Sequence, residues 1–243
     1  MILDIDVGNS FVKWRLTDGA EIRQFGSQAT KSIDRERGLD VPEEFPISQV
    51  RLSSVAANSV QKDLVAQVKS QFNAEVTLAK VSSVAAGVRC GYADPSNLGV
   101  DRWLALVAAY HRYQASVLIV DAGSAMTLDL VSEDGRHLGG YILPGLSLMR
   151  DALWRGTDRV KVDTAVNDCG IDPAKDTIAA VNQGSLLAAI ATIEKLANEY
   201  PSKLVATGGD AKKLLPHLKG NVDYLPDLVL DGLALGAVST IKL

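Results

Sequence analysis

The chain has 243 residues, 47% of them hydrophobic and 22% charged, with a formal net charge of −4 and a pI near 5.4. That balance supplies one large domain or two compact ones, and a mildly acidic chain without a strong basic block gives no support to nucleic-acid binding as its main task. No apolar run reaches the ~20 residues of a membrane span, the acids in Met1–Asp6 rule against a signal peptide, and Cys90 and Cys169 have no metal-ligand spacing. A cytoplasmic protein with no membrane or nucleic-acid partner is the expectation, with both thiols buried or idle in a reducing compartment.

The first stretch reads as strands. Ile2–Asp6 is a short apolar run, and a turn follows at Gly8-Asn9. Phe11–Leu16 then alternates, Asp18-Gly19 makes a hairpin turn, and a third strand lies near Ile22–Gly26. Ser27–Glu44 reads as a surface loop. Val50–Val55 reads as a strand, and Val60, Leu64, Val65 and Val68 carry helical spacing over Asn58–Phe72. Val81–Leu98 is an ordered loop that leads into Gly99-Val100-Asp101-Arg102 and an apolar helix through His111.

At Ser116 the pattern restarts. Val117–Val120 is a continuous apolar run, as expected of a strand covered on both faces. Asp121-Ala122-Gly123-Ser124 follows, then a strand through Val131, a turn at Glu133-Asp134-Gly135 and a strand into Tyr141-Ile142-Leu143. A helix with an apolar face follows Pro144-Gly145. Lys175–Glu199 reads as a long helix interrupted or eased at Gly184. Lys203–Ala206 is a strand ending at Thr207-Gly208-Gly209, with a helix over Asp210–Leu215. Trp14, Trp103 and Trp154 read as core or interface anchors.

Asp6–Val12 and Asp121–Thr127 align without gaps, at an offset near half the chain length. This reads as an internal duplication into two α/β halves, 1–115 and 116–243. Each Asp-x-Gly turn has a clear use. Glycine lets the backbone approach a ligand closely, and turn amides can point at phosphate oxygens. Asn9, Ser10 and Ser124 add donors, Lys13 adds a cation, and Asp6 can hold a hydrated Mg²⁺. Two such loops facing each other would grip a polyphosphate. Between them, Asp101 in the first turn of a helix is either a partner for the helix dipole or a base for an attacking hydroxyl, with Arg102 beside it to bind a substrate carboxylate. Spacing leaves that choice open. P-loop, dinucleotide, zinc and nucleophile-elbow signatures are missing from the sequence.

Six short motifs occur in order: Asp6-x-Gly8-Asn9-Ser10-x-x-Lys13, Tyr92, Gly99-x-Asp101-Arg102, Asp121-x-Gly123-Ser124-Ala125-x-Thr127, Gly139-Gly140-x-Ile142-x-Pro144-Gly145 and Thr207-Gly208-Gly209. Together they resemble type III pantothenate kinase, the Bvg accessory factor-like family. The resemblance implies the duplicated actin/ribonuclease H-like ATPase fold, with a mixed sheet flanked by helices in each half. It implies ATP-dependent phosphorylation of pantothenate to 4'-phosphopantothenate, the first step towards coenzyme A. It further implies an ATP phosphate loop over Asp6, Val7, Gly8, Asn9, Ser10, Phe11, Val12 and Lys13, joined by Ser124. Asp101 would be the base, and Tyr92, Gly99, Val100 and Arg102 the pantothenate contacts. Asp121 would hold potassium or ammonium, and Thr177 would reach substrate from the partner in a homodimer. The competing readings are another small-molecule kinase of the same superfamily and a nucleotide-binding regulator without activity.

Overall fold

The structure is a computed structural model that describes residues 1–33, 38–42, 44–162, 165, 170–236 and 239–242. Its elements are, in chain order, β1 (Ile2–Val7), β2 (Phe11–Asp18), β3 (Glu21–Ala29), β4 (Gln49–Ser54), α1 (Asn58–Phe72), β5 (Glu75–Lys80), β6 (Val84–Ala85), β7 (Val88–Arg89), α2 (Val100–Tyr113), β8 (Val117–Ala122), β9 (Ala125–Val131), β10 (His137–Pro144), α3 (Leu146–Gly156), α4 (Thr177–Glu199), β11 (Lys203–Thr207), α5 (Ala211–Leu214), β12 (Val222–Tyr224), α6 (Leu228–Ala234) and β13 (Ser239–Lys242).

Two compact units form, one from 1–111 with 227–243 and the other from 112–226. The expected boundary between 115 and 116 lies close to the first crossing. The tail expected in the second half, 227–243, instead belongs to the first unit, because β13 pairs antiparallel with β5 and adds an edge to that sheet.

The first unit holds a sheet in the order β13-β5-β4-β1-β2-β3. In it, β1 lies antiparallel to β2 and parallel to β4. Alternation along β1 sends Leu3, Ile5 and Val7 into a core shared with Val12, Trp14, Leu16, Leu64 and Val68. The same period sends Asp4 and Asp6 to the opposite face, with Arg15 directly across from Asp4 and Lys13 across from Asp6. α1 spans Asn58–Phe72, the range its apolar spacing predicts, and ends where Asn73 takes a left-handed conformation (φ 49°).

The second unit repeats the plan. Its sheet runs β10-β9-β8-β11-β12, so the 3-2-1-4-5 order of the first five strands recurs, with the same two antiparallel and two parallel pairings. Its core gathers Leu118, Val120, Leu128 and Leu130 with Leu186, Ile190 and Ile193 of α4, which runs unbroken through Gly184. The ungapped alignment of the two turns slips by one residue. Gly8 N–H donates to the Phe11 carbonyl at 3.0 Å, whereas Gly123 N–H donates to the Ala125 carbonyl at 3.1 Å. The second turn is therefore one residue shorter, and Thr127 occupies the position equivalent to Lys13 rather than to Val12: Lys13 lies opposite Asp6 and Thr127 opposite Asp121.

Candidate active site

The first loop leaves β1 at Val7 and returns at Phe11. Two features brace it. Gly8 folds so tightly that a Cβ there would lie 3.0 Å from the Phe11 carbonyl oxygen. Thr30, buried at the end of β3, donates its hydroxyl to the Gly8 carbonyl at 2.8 Å and its amide to the Ser10 carbonyl at 2.9 Å. Asn9, Ser10 and Phe11 are left exposed at the tip. Thr30 was not marked in the sequence: it acts from 22 residues away, through a strand pairing that no local motif signals.

The second loop is held by the other glycine motifs of its own unit. Gly145 N–H donates to the Ser124 carbonyl at 3.0 Å, and a Cβ on Gly145 would fall 2.2 Å from the Gly123 carbonyl oxygen. Gly208, at φ +89°, would place a Cβ 2.5 Å from both the Ala122 carbonyl oxygen and Asp121 Oδ1. Asp210 N–H donates to the Ala122 carbonyl at 2.9 Å. Pro144-Gly145 and Thr207-Gly208 thus form the walls of the Asp121–Ser124 turn, and only glycine lets them approach it.

The third constellation opens α2. Asp101 lies in the first helical turn, and its Oδ1 accepts from the Arg102 amide at 2.7 Å. The carboxylate leans back over Gly99, where any Cβ would lie 2.6 Å from Oδ1. Arg102 is buried, donates from a guanidinium nitrogen to the Tyr92 hydroxyl at 3.1 Å, and places its guanidinium carbon 5.8 Å from the centre of the Tyr92 ring. Tyr92, Gly99, Asp101 and Arg102 therefore form one cluster. Val100 starts the helix. The fully buried Trp103 anchors it, and burying a side chain of that size stabilises by roughly 4–6 kcal/mol before entropy is counted.

Upstream, β6 and β7 form a two-residue hairpin whose central Ala86 and Gly87 have φ of 44° and 87°. Both central residues at positive φ mark a tight hairpin turn. The hairpin fixes the approach to Tyr92, and the Cys90 amide donates to the Ser83 carbonyl at 2.9 Å. Cys90 is partly exposed and in no disulfide. Cys169 lies outside the described residues.

Thr177 is the first residue of α4 and is exposed, beside a groove of about 870 Å³ between α3 and α4. Met149, Leu153, Ala180 and Val181 line that groove. Trp154, 39% exposed on α3, is not a core residue of its unit, unlike Trp14 and Trp103. Among the described residues no three His, Cys, Asp or Glu side chains gather as a metal cluster, and no helix is long and apolar enough to cross a membrane.

Two sheets of one strand order, each entered through an Asp-x-Gly turn, define the duplicated actin-like kinase fold. Solved structures share it. A Campylobacter jejuni protein described as a Baf family transcriptional activator superposes at TM-score 0.62, with 22% identity and 96% of each chain covered. A Sinorhizobium meliloti protein described as a 2-dehydro-3-deoxygalactonokinase gives 0.56, with 13% identity and 98% of each chain covered. The sequence model of type III pantothenate kinase matches residues 2–199. The type III pantothenate kinase of Chromohalobacter salexigens is 41% identical over 242 residues, covering 96% of this chain and 86% of its own. This chain belongs to the type III pantothenate kinase family.

Proposed function

We propose that this chain transfers the γ-phosphoryl group of ATP to the primary hydroxyl of pantothenate, with Asp101 as the base. The observation that carries the assignment of roles is the cluster at the start of α2. There one carboxylate is fixed by the Arg102 amide, beside a buried guanidinium paired with a phenol. Such a pair suits a substrate with a carboxylate at one end and a hydroxyl at the other.

Phosphoryl transfer needs in-line positioning and charge neutralisation more than covalent help. The pantothenate hydroxyl oxygen bonds to the γ-phosphorus as the bond from that phosphorus to the β-bridging oxygen breaks. ADP leaves, and the hydroxyl proton passes to the Asp101 carboxylate. Arg102 and Tyr92 hold the far end of pantothenate, and Gly99 leaves room for the Asp101 carboxylate. Val100 is the remaining pantothenate contact, beside Asp101 at the start of α2. The amides and side chains of Asp6, Val7, Gly8, Asn9, Ser10, Phe11, Val12 and Lys13 take the ATP phosphates, and Ser124 is a further phosphate donor.

A hydrated Mg²⁺ needs only one or two protein carboxylates beside substrate phosphates, and Asp6 at the end of β1 meets that requirement. Asp121, at the equivalent strand end, suits a monovalent cation such as potassium or ammonium. When bound, these ions supply positive charge against the phosphates. No nucleic acid or membrane enters this reading, and the cytoplasm is the setting it fits.

The working form is a homodimer. Leu148, Leu153 and Trp154 on α3, with Ile178 and Leu187 on α4, leave an exposed apolar face around the α3–α4 groove, and such a face favours a second copy. Thr177 at its rim would then reach the partner's substrate. Light scattering should give twice the chain mass for wild type and the chain mass for Trp154→Asp. A wild-type monomer at assay concentration would sink the dimer.

A coupled assay of ADP release tests the activity. Release that depends on pantothenate, and rises with potassium or ammonium, is expected. Turnover of a sugar or acetate in place of pantothenate would point to another kinase of this fold. No ADP with any acceptor would favour a regulator.

A further inference from the structure

The polar face of the first sheet carries a charge chain that the reaction as described does not use. Asp4, fully buried, accepts two hydrogen bonds from Arg51, from Nε at 2.6 Å and from a terminal nitrogen at 2.9 Å. Arg15 also approaches Asp4, at 3.8 Å, and bonds Asp231 Oδ1 at 2.6 Å and the Leu230 carbonyl at 2.8 Å. Arg51 reaches the Ala234 carbonyl at 3.2 Å. Asp231, Leu230 and Ala234 all belong to α6, so two arginines seated on one buried aspartate bind this helix to β1, β2 and β4.

α6 is fixed on a second side. Gly232 lies so close to α2 that a Cβ would sit 2.4 Å from the Leu104 carbonyl oxygen and 2.9 Å from its Cα. Leu228, Leu230 and Leu233 of the same helix are buried. The two attachments fall next to the two parts of the proposed chemistry. Asp4 is two residues before Asp6 on the same face of β1, and Leu104 is three residues after Asp101 on α2.

We infer that α6 is a spacer that sets the start of α2 against the end of β1, with Asp4, Arg15, Asp231 and Gly232 as positioning residues for the transfer. The inference rests on the roles proposed for Asp6 and Asp101. It explains why a helix from the end of the chain is tied by ions to the sheet and by a glycine to α2. A buried ion pair is weak evidence for stability; what bears on the transfer is the geometry it fixes. A contact that only glycine permits specifies distance.

Gly232→Ala tests it. Ordinary contact with Leu104 requires about 1 Å of separation, and a misplacement of that size can cost about 10²-fold in rate. The expected result is a folded protein whose kcat falls at least about tenfold, with KM for ATP within about threefold of wild type. Asp231→Ala should lower kcat in the same way. Asp231→Asn, which keeps the acceptor for Arg15, should recover most of the loss. Leu64→Ala, a core cavity under α1, controls for stability alone: it should lower Tm and leave the kcat of folded enzyme in place.

A folded Gly232→Ala with wild-type kcat overturns the spacer. So does a folded Leu64→Ala whose kcat falls as far as that of Gly232→Ala, or an Asp231→Asn no better than Asp231→Ala. If Gly232→Ala fails to fold, the Asp231 pair decides. A wild-type chain without turnover overturns this inference and the proposed function together; an active wild type with insensitive α6 variants overturns the spacer alone.

Discussion

Replacing Gly208 with alanine should separate the second loop from its wall. The residue sits at φ +89°, where a side chain costs about 1–2 kcal/mol in backbone strain alone. The new Cβ would also lie 2.5 Å from the Ala122 carbonyl oxygen and 2.5 Å from Asp121 Oδ1, with the Ala122 carbonyl carbon at 2.6 Å. Ordinary contact requires these atoms to retreat by roughly 1 Å, and two of the three are backbone. Overpacking of this kind adds about 1–3 kcal/mol, for a total of about 2–5 kcal/mol. Displacing Asp121 and its turn by that distance should also lower kcat by up to about 10²-fold. Thermal unfolding should show a loss of several degrees. Steady-state rates across a potassium or ammonium titration should show a weakened response to the ion. A Gly208→Ala protein with unchanged Tm and unchanged cation response would refute the reasoning that the Gly208 wall holds the Asp121 turn.

Arg102→Lys keeps the charge but loses the planar fork, so KM for pantothenate should rise about tenfold or more while KM for ATP stays within about threefold, as read from paired substrate titrations. Tyr113 donates to Asp223 at 2.5 Å and Lys203 donates to the other carboxylate oxygen at 2.8 Å, so Tyr113→Phe should lower Tm by about 2–4 °C at pH 7. The difference should shrink at both ends of a pH series of unfolding. Lys203 and Tyr113 hold the Asp223 carboxyl below its ordinary range, so its contribution is present above about pH 4 and lost as pH falls through the lowered value. Burial, then Asp223, raises the Tyr113 phenol, so folding favours the protonated form and that contribution is lost as pH rises beyond about 10. Ala86→Gly should stabilise by about 0.5–1 kcal/mol in denaturant unfolding, because alanine at φ 44° carries strain that glycine does not.

The elements read most directly from the sequence are those whose signal is local. Alternation in Phe11–Leu16, the apolar run Val117–Val120 and the helical spacing of Val60 to Val68 each report burial of one face or of both. The five glycine-bearing motifs were visible as residues. Why glycine is needed at 145 and 208 was not, since the atoms they avoid lie more than 20 residues away in sequence.

Six elements escaped the sequence reading: β5, β6, β7, β12, α6 and β13. β12 has three residues, too few for a period. β5 lies between β4 and β13, and β13 is a strand by virtue of pairing with β5 across more than 150 residues. α6 is a short apolar stretch interrupted by Asp231 and Gly232, the two residues that fix it. Its partners Arg15 and Arg51 sit far away in the chain, and contacts 216 and 183 residues apart leave no local pattern. At the site, Tyr92, Asp101 and Arg102 could be named from the family motif. Thr30 could not, because its role follows from where β3 ends.

The most direct measurement of the account is the turnover of Asp101→Asn beside its equilibrium binding of pantothenate. The substitution keeps the shape and an acceptor for the Arg102 amide, and removes the group that takes the proton. The account predicts a folded protein that binds pantothenate within about threefold of wild type and has lost about 10²–10⁴-fold in kcat. A folded Asp101→Asn protein with near wild-type kcat would contradict it.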